Sequence, residues 1–148
     1  ENLPVTIFRL YLVYGPMQDT NRLIPFVIKK CLNDEKFPTS NGNQVRDFIF
    51  IDDLIGILFQ SLKLKKINGE IYNIGSGRRY KVKNIIKNII KISGGGKAVF
   101  GKIKLRPDEQ KKIYPSIKKL RDKFLIKNFT PINIGLKKTI NHFKKNEI

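Results

Sequence analysis

The chain has 148 residues, 41% of them hydrophobic, and a formal net charge of +18 from 30 Lys+Arg against 12 Asp+Glu. That length suits one domain with a real core, and the hydrophobic share excludes a wholly disordered chain. No apolar run approaches the roughly 20 residues of a membrane span, no secretion signal opens the chain, and a single cysteine excludes an internal disulfide framework. These features predict a cytoplasmic protein. The chain begins at Glu1 and its only methionine is Met17, so it is expected to be part of a larger protein.

A charge of this size is the usual footprint of nucleic-acid binding. The lysines are scattered from Lys29 to Lys145 in short clusters, and none of these interleaves aromatics as a base-stacking platform would. There is no Cys/His zinc spacing, so no metal site is expected. Solvated lysine faces plus a site for an anionic ligand is the favoured reading. The alternative is a free-standing basic module for a nucleotide or nucleic acid.

In chain order, the β-branched and aromatic run at residues 5–13 predicts a buried strand ended by Gly15-Pro16. Asn21 is placed to cap a helix over residues 22–32 with Pro25 in its first turn. Leu23, Phe26, Val27 and Cys31 fall at helical spacing, so Cys31 reads as core. Residues 36–39 predict one short strand and residues 47–51 another, after which Asp52 caps a helix to about residue 64. A strand at residues 70–74 ends at Gly75-Ser76-Gly77. The stripe Val82, Ile85, Ile86, Ile89, Ile90 predicts an amphipathic helix stopped by Gly94-Gly95-Gly96. A short strand at residues 98–100 follows, then a helix opened by Ser116 and a last one over residues 132–145. This alternation predicts an α/β fold in a single domain spanning residues 1–148.

Several motifs invite a chemical reading. Gly75-Ser76-Gly77 stands where a dinucleotide fingerprint would, but Tyr80 occupies the place of its third glycine, so a close turn is the better reading. His142 has no nucleophile partner suggested by the sequence, and Tyr114-x-x-x-Lys118 stands apart from the other motifs. Arg46 ends a loop and Arg106 sits in the rigid turn Leu105-Arg106-Pro107-Asp108. Arginine at such an edge can fork two hydrogen bonds onto phosphate oxygens, or form a surface ion pair with Asp47 or Asp108. Spacing alone leaves both open.

The order of these segments resembles a known family. Residues 3–16, read LPVTIFRLYLVYGP, are similar to the "LPVTILRLFNVYGP" stretch of the NAD-dependent epimerase/dehydratase family, the extended short-chain dehydrogenases/reductases. Asn21-Arg22-Leu23-Ile24-Pro25, residues 41–53 ending Arg46-Asp47-Phe48-Ile49-Phe50-Ile51-Asp52-Asp53, Tyr72-Asn73-Ile74-Gly75-Ser76-Gly77 and Arg106-Pro107-Asp108 resemble its following motifs in the same order. The resemblance implies the C-terminal part of a Rossmann-type fold with a small mixed substrate-binding subdomain. The NAD(P)-binding portion, with its Gly-rich loop and Tyr-x-x-x-Lys pair, is absent from the chain.

It further implies that Arg46 and Arg106 hold the diphosphate of a nucleotide sugar. Asn21, Arg22, Leu23, Pro25, Phe37 and Pro38 would line the sugar and base pockets, with Phe37 near the base, and Tyr14 and Pro16 would lie near nicotinamide and sugar. The chain would bind a nucleotide-diphosphate sugar without turning it over alone, and would hold no NAD(P) by itself. Its partner would be the missing N-terminal half of the same protein, and the uncovered strands at residues 5–13 and 70–74 would favour self-association. One departure stands out: Leu12 replaces the Asn that the family carries before "VYGP", which removes a polar contact.

Overall fold

The computed structural model describes residues 3–146. Residues 7–14 form two consecutive strands, β1 (Ile7–Leu10) and β2 (Leu12–Tyr14), rather than one. The break marks a change of partner. β1 runs parallel to β6 (Ile71–Ile74), with Ile7 opposite Ile71, and β2 runs parallel to β5 (Phe48–Phe50), with Leu12 opposite Phe48. Successive amides point to opposite sides of a strand. Tyr11 N–H accordingly reaches Ile74 O at 3.0 Å while Leu12 N–H reaches Asp47 O at 3.3 Å, so the two partners flank the segment.

The other strands are short. β3 (Lys36–Pro38) lies parallel to β8 (Lys97–Val99). β4 (Val45–Arg46) sits between β7 (Tyr80–Lys81), antiparallel, and β9 (Lys112–Ile113), parallel. Helices α1 (Leu23–Leu32), α2 (Ile51–Ser61), α3 (Val82–Ser93), α4 (Lys118–Phe124) and α5 (Ile132–Asn146) complete the α/β order. The two-residue strands β4, β7 and β9 carry no alternation that a sequence pattern could register.

β5 divides the interior. Phe48 and Phe50 face a core built with α1, α3 and α5, whereas Ile49 faces a second core with Tyr72, Ile74, Leu120 and Phe124. Cys31 and the α3 stripe Ile85, Ile86, Ile89 are buried in the first core, as their spacing predicts. α3 ends where Gly94 takes φ +82°, a left-handed C-cap that glycine adopts without strain.

Three local expectations are corrected. The strand at residues 5–13 is not buried: Val5, Ile7 and Leu10 are each about half exposed (51%, 49% and 52%), and Leu12 is exposed too. The N-cap of α1 is Arg22 rather than Asn21, with the backbone turned by an Arg22 N–H to Asp19 O bond of 3.0 Å. Asp52 does not cap α2, which begins one residue earlier from an extended Phe50; Asp52 instead pairs with Lys138 at 3.2 Å. The other first-turn carboxylate, Asp53, accepts the Thr130 N–H and hydroxyl, both at 2.9 Å.

The exposed apolar residues of β1 and β2 are matched by Ile55, Leu58 and Phe59 at helical spacing on α2 and by Leu62 just after it. No helix among the described residues is long and apolar enough to cross a membrane.

Candidate functional site

Strand alternation builds the site outward from the dipeptide Arg46-Asp47. Their side chains leave the chain on opposite sides, so they do not pair with each other. Asp47 is 1% exposed and accepts the Ser76 N–H at 2.7 Å, the Ser76 hydroxyl at 2.9 Å and the Gly77 N–H at 2.7 Å. Burial raises its pKa above the ordinary carboxylate range, against the lowering effect of the Ser76 and Gly77 bonds. The Ser76 and Gly77 amides that a dinucleotide pyrophosphate would need are thus taken up by Asp47. Gly75 has no room for a side chain, since a Cβ there would fall 2.6 Å from Pro115 Cγ. The turn reading of this motif stands, and this turn does not fit an NAD(P) phosphate cradle.

Arg46 is held on β4 between two strands and is buried. One guanidinium nitrogen donates to Val45 O at 2.9 Å, and another makes an ion pair with Glu109. The partner is therefore neither Asp47 nor Asp108. Arg106 is exposed in the loop before β9 and has no side-chain partner among the described residues.

Arg106 and Glu109 stand on the shared wall of two cavities, of about 660 and 380 Å³, which also share Leu12 and Leu23. The larger is lined by Tyr14, Asn21, Arg22 and Leu23, and the smaller by Leu23, Pro38 and Arg46. Seven of the ten residues singled out from sequence therefore meet at these adjoining cavities. Pro16, Pro25 and Phe37 line neither. Pro25 is buried in the first turn of α1, and Phe37 is 1% exposed, edge-on to Phe26 at 6.0 Å, so its ring belongs to the core and offers no face to a base.

Tyr14 is buried, and desolvation with the nearby Tyr80 and Asp53 raises its phenol above the ordinary range; its hydroxyl donates to Ile132 O at 3.4 Å. Burial also pushes the Cys31 thiol up to about 11. Tyr114 and Lys118 are engaged separately, Tyr114 under the Arg79 guanidinium at 4.0 Å and Lys118 with Asp122 at 2.8 Å. Among the described residues no group of three or more His, Cys, Asp or Glu could hold a metal ion. Sequence reasoning missed Glu109, for which an acid three residues after Arg106 was the available signal.

Residues 1–75 match the profile of the NAD dependent epimerase/dehydratase family, which is half of the chain. A CDP-abequose synthase from Salmonella muenchen is 34% identical over 104 residues, covering 68% of this chain and 35% of that protein. A dTDP-glucose 4,6-dehydratase from Escherichia coli is 31% identical over 91 residues, covering 61% of this chain and 25% of its own length. Among solved structures, a UDP-glucuronic acid 4-epimerase from Bacillus cereus, in complex with UDP-glucuronic acid and NAD, superposes with a TM-score of 0.87 at 32% identity. That match covers 97% of this chain and 46% of the other. The chain thus has the fold of part of such structures, and spans less than half the length of the proteins it matches.

Proposed function

Since the chain belongs to the NAD dependent epimerase/dehydratase family, we propose that it forms the nucleotide-sugar-binding, C-terminal part of an NAD(P)-dependent epimerase, dehydratase or reductase. The observation that carries this reading is the convergence of Arg46 and Arg106 on two adjoining cavities. Two guanidinium forks about one cleft suit the oxygens of a diphosphate, with Arg46 fixed by β4 and Arg106 brought by its loop. Glu109 holds Arg46 in the free chain, so its carboxylate gives way as phosphate takes the guanidinium. Asn21, Arg22 and Leu23 at the start of α1 line the larger cavity with Tyr14, where the sugar would lie.

The family's cofactor supplies hydride transfer at a sugar carbon. NAD(P) and the tyrosine–lysine pair belong to the portion of the family outside this chain. The residues described here bind and orient the substrate and shield it from water. The half-exposed strands β1 and β2 and the apolar face of α2 suit contact with that other portion, and they favour self-association when it is absent. A cytoplasmic setting agrees with nucleotide-sugar chemistry.

Calorimetric titration of the 148-residue chain with UDP-, dTDP- and CDP-glucose tests the reading. Arg46→Ala should cost roughly 10-fold or more in affinity, as expected for losing charged hydrogen bonds worth about 1.5–3 kcal/mol, and Arg106→Ala less. Affinity should fall only shallowly with salt, and no turnover should follow on adding NAD(P). Unchanged binding in both variants overturns the site, and a steep salt dependence favours the polyanion-binding alternative.

A further inference from the structure

We infer, resting on the nucleotide-sugar reading, that Glu109 is a built-in competitor for the diphosphate: its carboxylate latches the segment 104–110 to Arg46 in the free chain, and the ligand exchanges that latch for a clasp through Arg106.

The Arg46 side chain is buried on the strand between β7 and β9, and two of its N–H directions are spent, one on Val45 O at 2.9 Å and one on Glu109. A buried guanidinium needs a counter-ion, and Glu109 is the one carboxylate paired with it among the described residues. Glu109 is not sealed in. Its side chain is partly exposed and it lines both cavities, so an anion entering either one meets the carboxylate together with the guanidinium it holds.

The segment that carries Glu109 is fastened by backbone on either side. Thr39 O accepts the N–H groups of Lys102 and Ile103 at 3.0 and 3.1 Å, and Lys111 O accepts the Val45 N–H at 2.8 Å just before β9. Between these points the pair with Arg46 is the one side-chain hydrogen bond or ion pair among the described residues. The turn itself joins two opposite charges, since the Glu109 N–H donates to Arg106 O at 3.0 Å. Arg106 is exposed on the wall it shares with Glu109. One short segment thus carries both the anion that occupies Arg46 and a cation that a phosphate on Arg46 would attract.

Two anions cannot take the same N–H groups of one buried guanidinium, so a phosphate displaces the carboxylate as it binds. The carboxylate is tethered and competes at a high effective concentration. A single phosphate returns one ion pair for the one it breaks. A diphosphate has oxygens for both guanidinium groups, and its second hold, on Arg106, re-fastens the freed segment. Glu109 therefore lowers the affinity of every anion that uses Arg46, and leaves useful binding to ligands with two phosphates.

Calorimetric titration of the 148-residue chain with inorganic pyrophosphate tests the sign. Glu109→Gln should tighten binding by about 10-fold or more, because it removes the competitor and leaves Arg46 without a counter-ion. In an Arg46→Gln background the same change should alter affinity by less than about three-fold. Glu109→Asp, which keeps the charge on a shorter arm, should fall between wild type and Glu109→Gln, and it reads the sign if the glutamine variant melts too low to titrate. Hydrogen exchange of the 104–110 amides gives an independent readout. Saturating pyrophosphate should slow it in wild type and speed it in Arg106→Gln, where the latch is undone and nothing replaces it. Unchanged or weaker binding by Glu109→Gln and Glu109→Asp makes Glu109 a support for Arg46 and overturns the latch. An equal gain in the Arg46→Gln background overturns it too, as a general charge effect. In both cases the arginine site stands if Arg46→Gln alone weakens pyrophosphate binding. If Arg46→Gln leaves that binding unchanged, or no chain binds pyrophosphate, the nucleotide-sugar reading fails and the latch falls with it.

Discussion

Two mid-helix glycines should respond to alanine with opposite signs. Gly135 lies in α5 against Tyr14 and Phe50, and a Cβ there would stand 2.1 Å from Tyr14 Oη, 2.9 Å from Tyr14 Cζ and 2.9 Å from Phe50 Cδ2. Tyr14 cannot retreat, being 2% exposed and flanked by Phe48 and Phe50 with ring centroids 6.4 and 5.5 Å away. Forcing a methyl into such a site costs about 1–3 kcal/mol, and the Tyr14 hydrogen bond to Ile132 O adds about 1 kcal/mol if it is lost. The helix-propensity gain of Gly to Ala offsets at most about 1 kcal/mol. Gly135→Ala should therefore destabilise by about 2 kcal/mol, a fall of roughly 4–8 °C for a chain of this size. Gly56 in α2 has open space where its Cβ would stand, with nothing within 4 Å, so Gly56→Ala should gain about 0.5–1 kcal/mol. Thermal and urea melts of both variants check the pair, and Tyr14→Phe should relieve part of the Gly135→Ala penalty because it deletes the nearest atom. A Gly135→Ala chain that melts above wild type would refute the close fit of Tyr14 against α5.

Two further outcomes are expected. Asp47 has a folded pKa above its unfolded value, so the native state holds the proton more tightly. Its contribution is fully present below about pH 4 and is lost as pH rises through the folded pKa, so wild type should lose stability relative to Asp47→Asn on moving from pH 4 to pH 7 in urea titrations. Cys31, buried with a thiol pushed up to about 11, should react with a disulfide reagent at pH 8 only at the rate at which the chain unfolds; rapid labelling of the native chain would contradict its place in the core.

The long elements were legible because each carries a period. The α3 stripe from Val82 to Ile89 announces its buried face, and the glycines after it announce its end. The failures are local and share a cause, which is that tertiary partners override short-range signals. Asp52 has the position and chemistry of a cap, yet α2 starts from Phe50, and the first-turn carboxylate beside it is drawn to Thr130, 77 residues away. The strand over residues 5–13 has the composition of a buried strand, and composition is what a strand facing a covering layer also shows. Its exposure depends on what lies against it, which no window of the sequence contains.

The residues that line the two cavities were legible from the order of the motifs, and their pairings were not. Arginine beside a turn suits a phosphate or an ion pair equally, so Arg46 and Arg106 were singled out by the order of the surrounding motifs rather than by their own spacing. The residue that satisfies Arg46 could not be named in advance: Asp47 is adjacent in sequence but strand alternation sends it to the Gly75-Ser76-Gly77 turn, and Glu109, 63 residues away, takes the guanidinium. The same alternation makes fold and site interdependent. Asp47 clamps the end of β6 to the strand that carries Arg46, using the amides that would otherwise be free for a phosphate. A Gly-Ser-Gly after a strand is therefore compatible with two opposite uses, an anion cradle or a carboxylate clamp. What separates them here is the buried acid one residue beyond Arg46, since an amide already bonded at 2.7 Å to a carboxylate has no hydrogen left to offer a ligand.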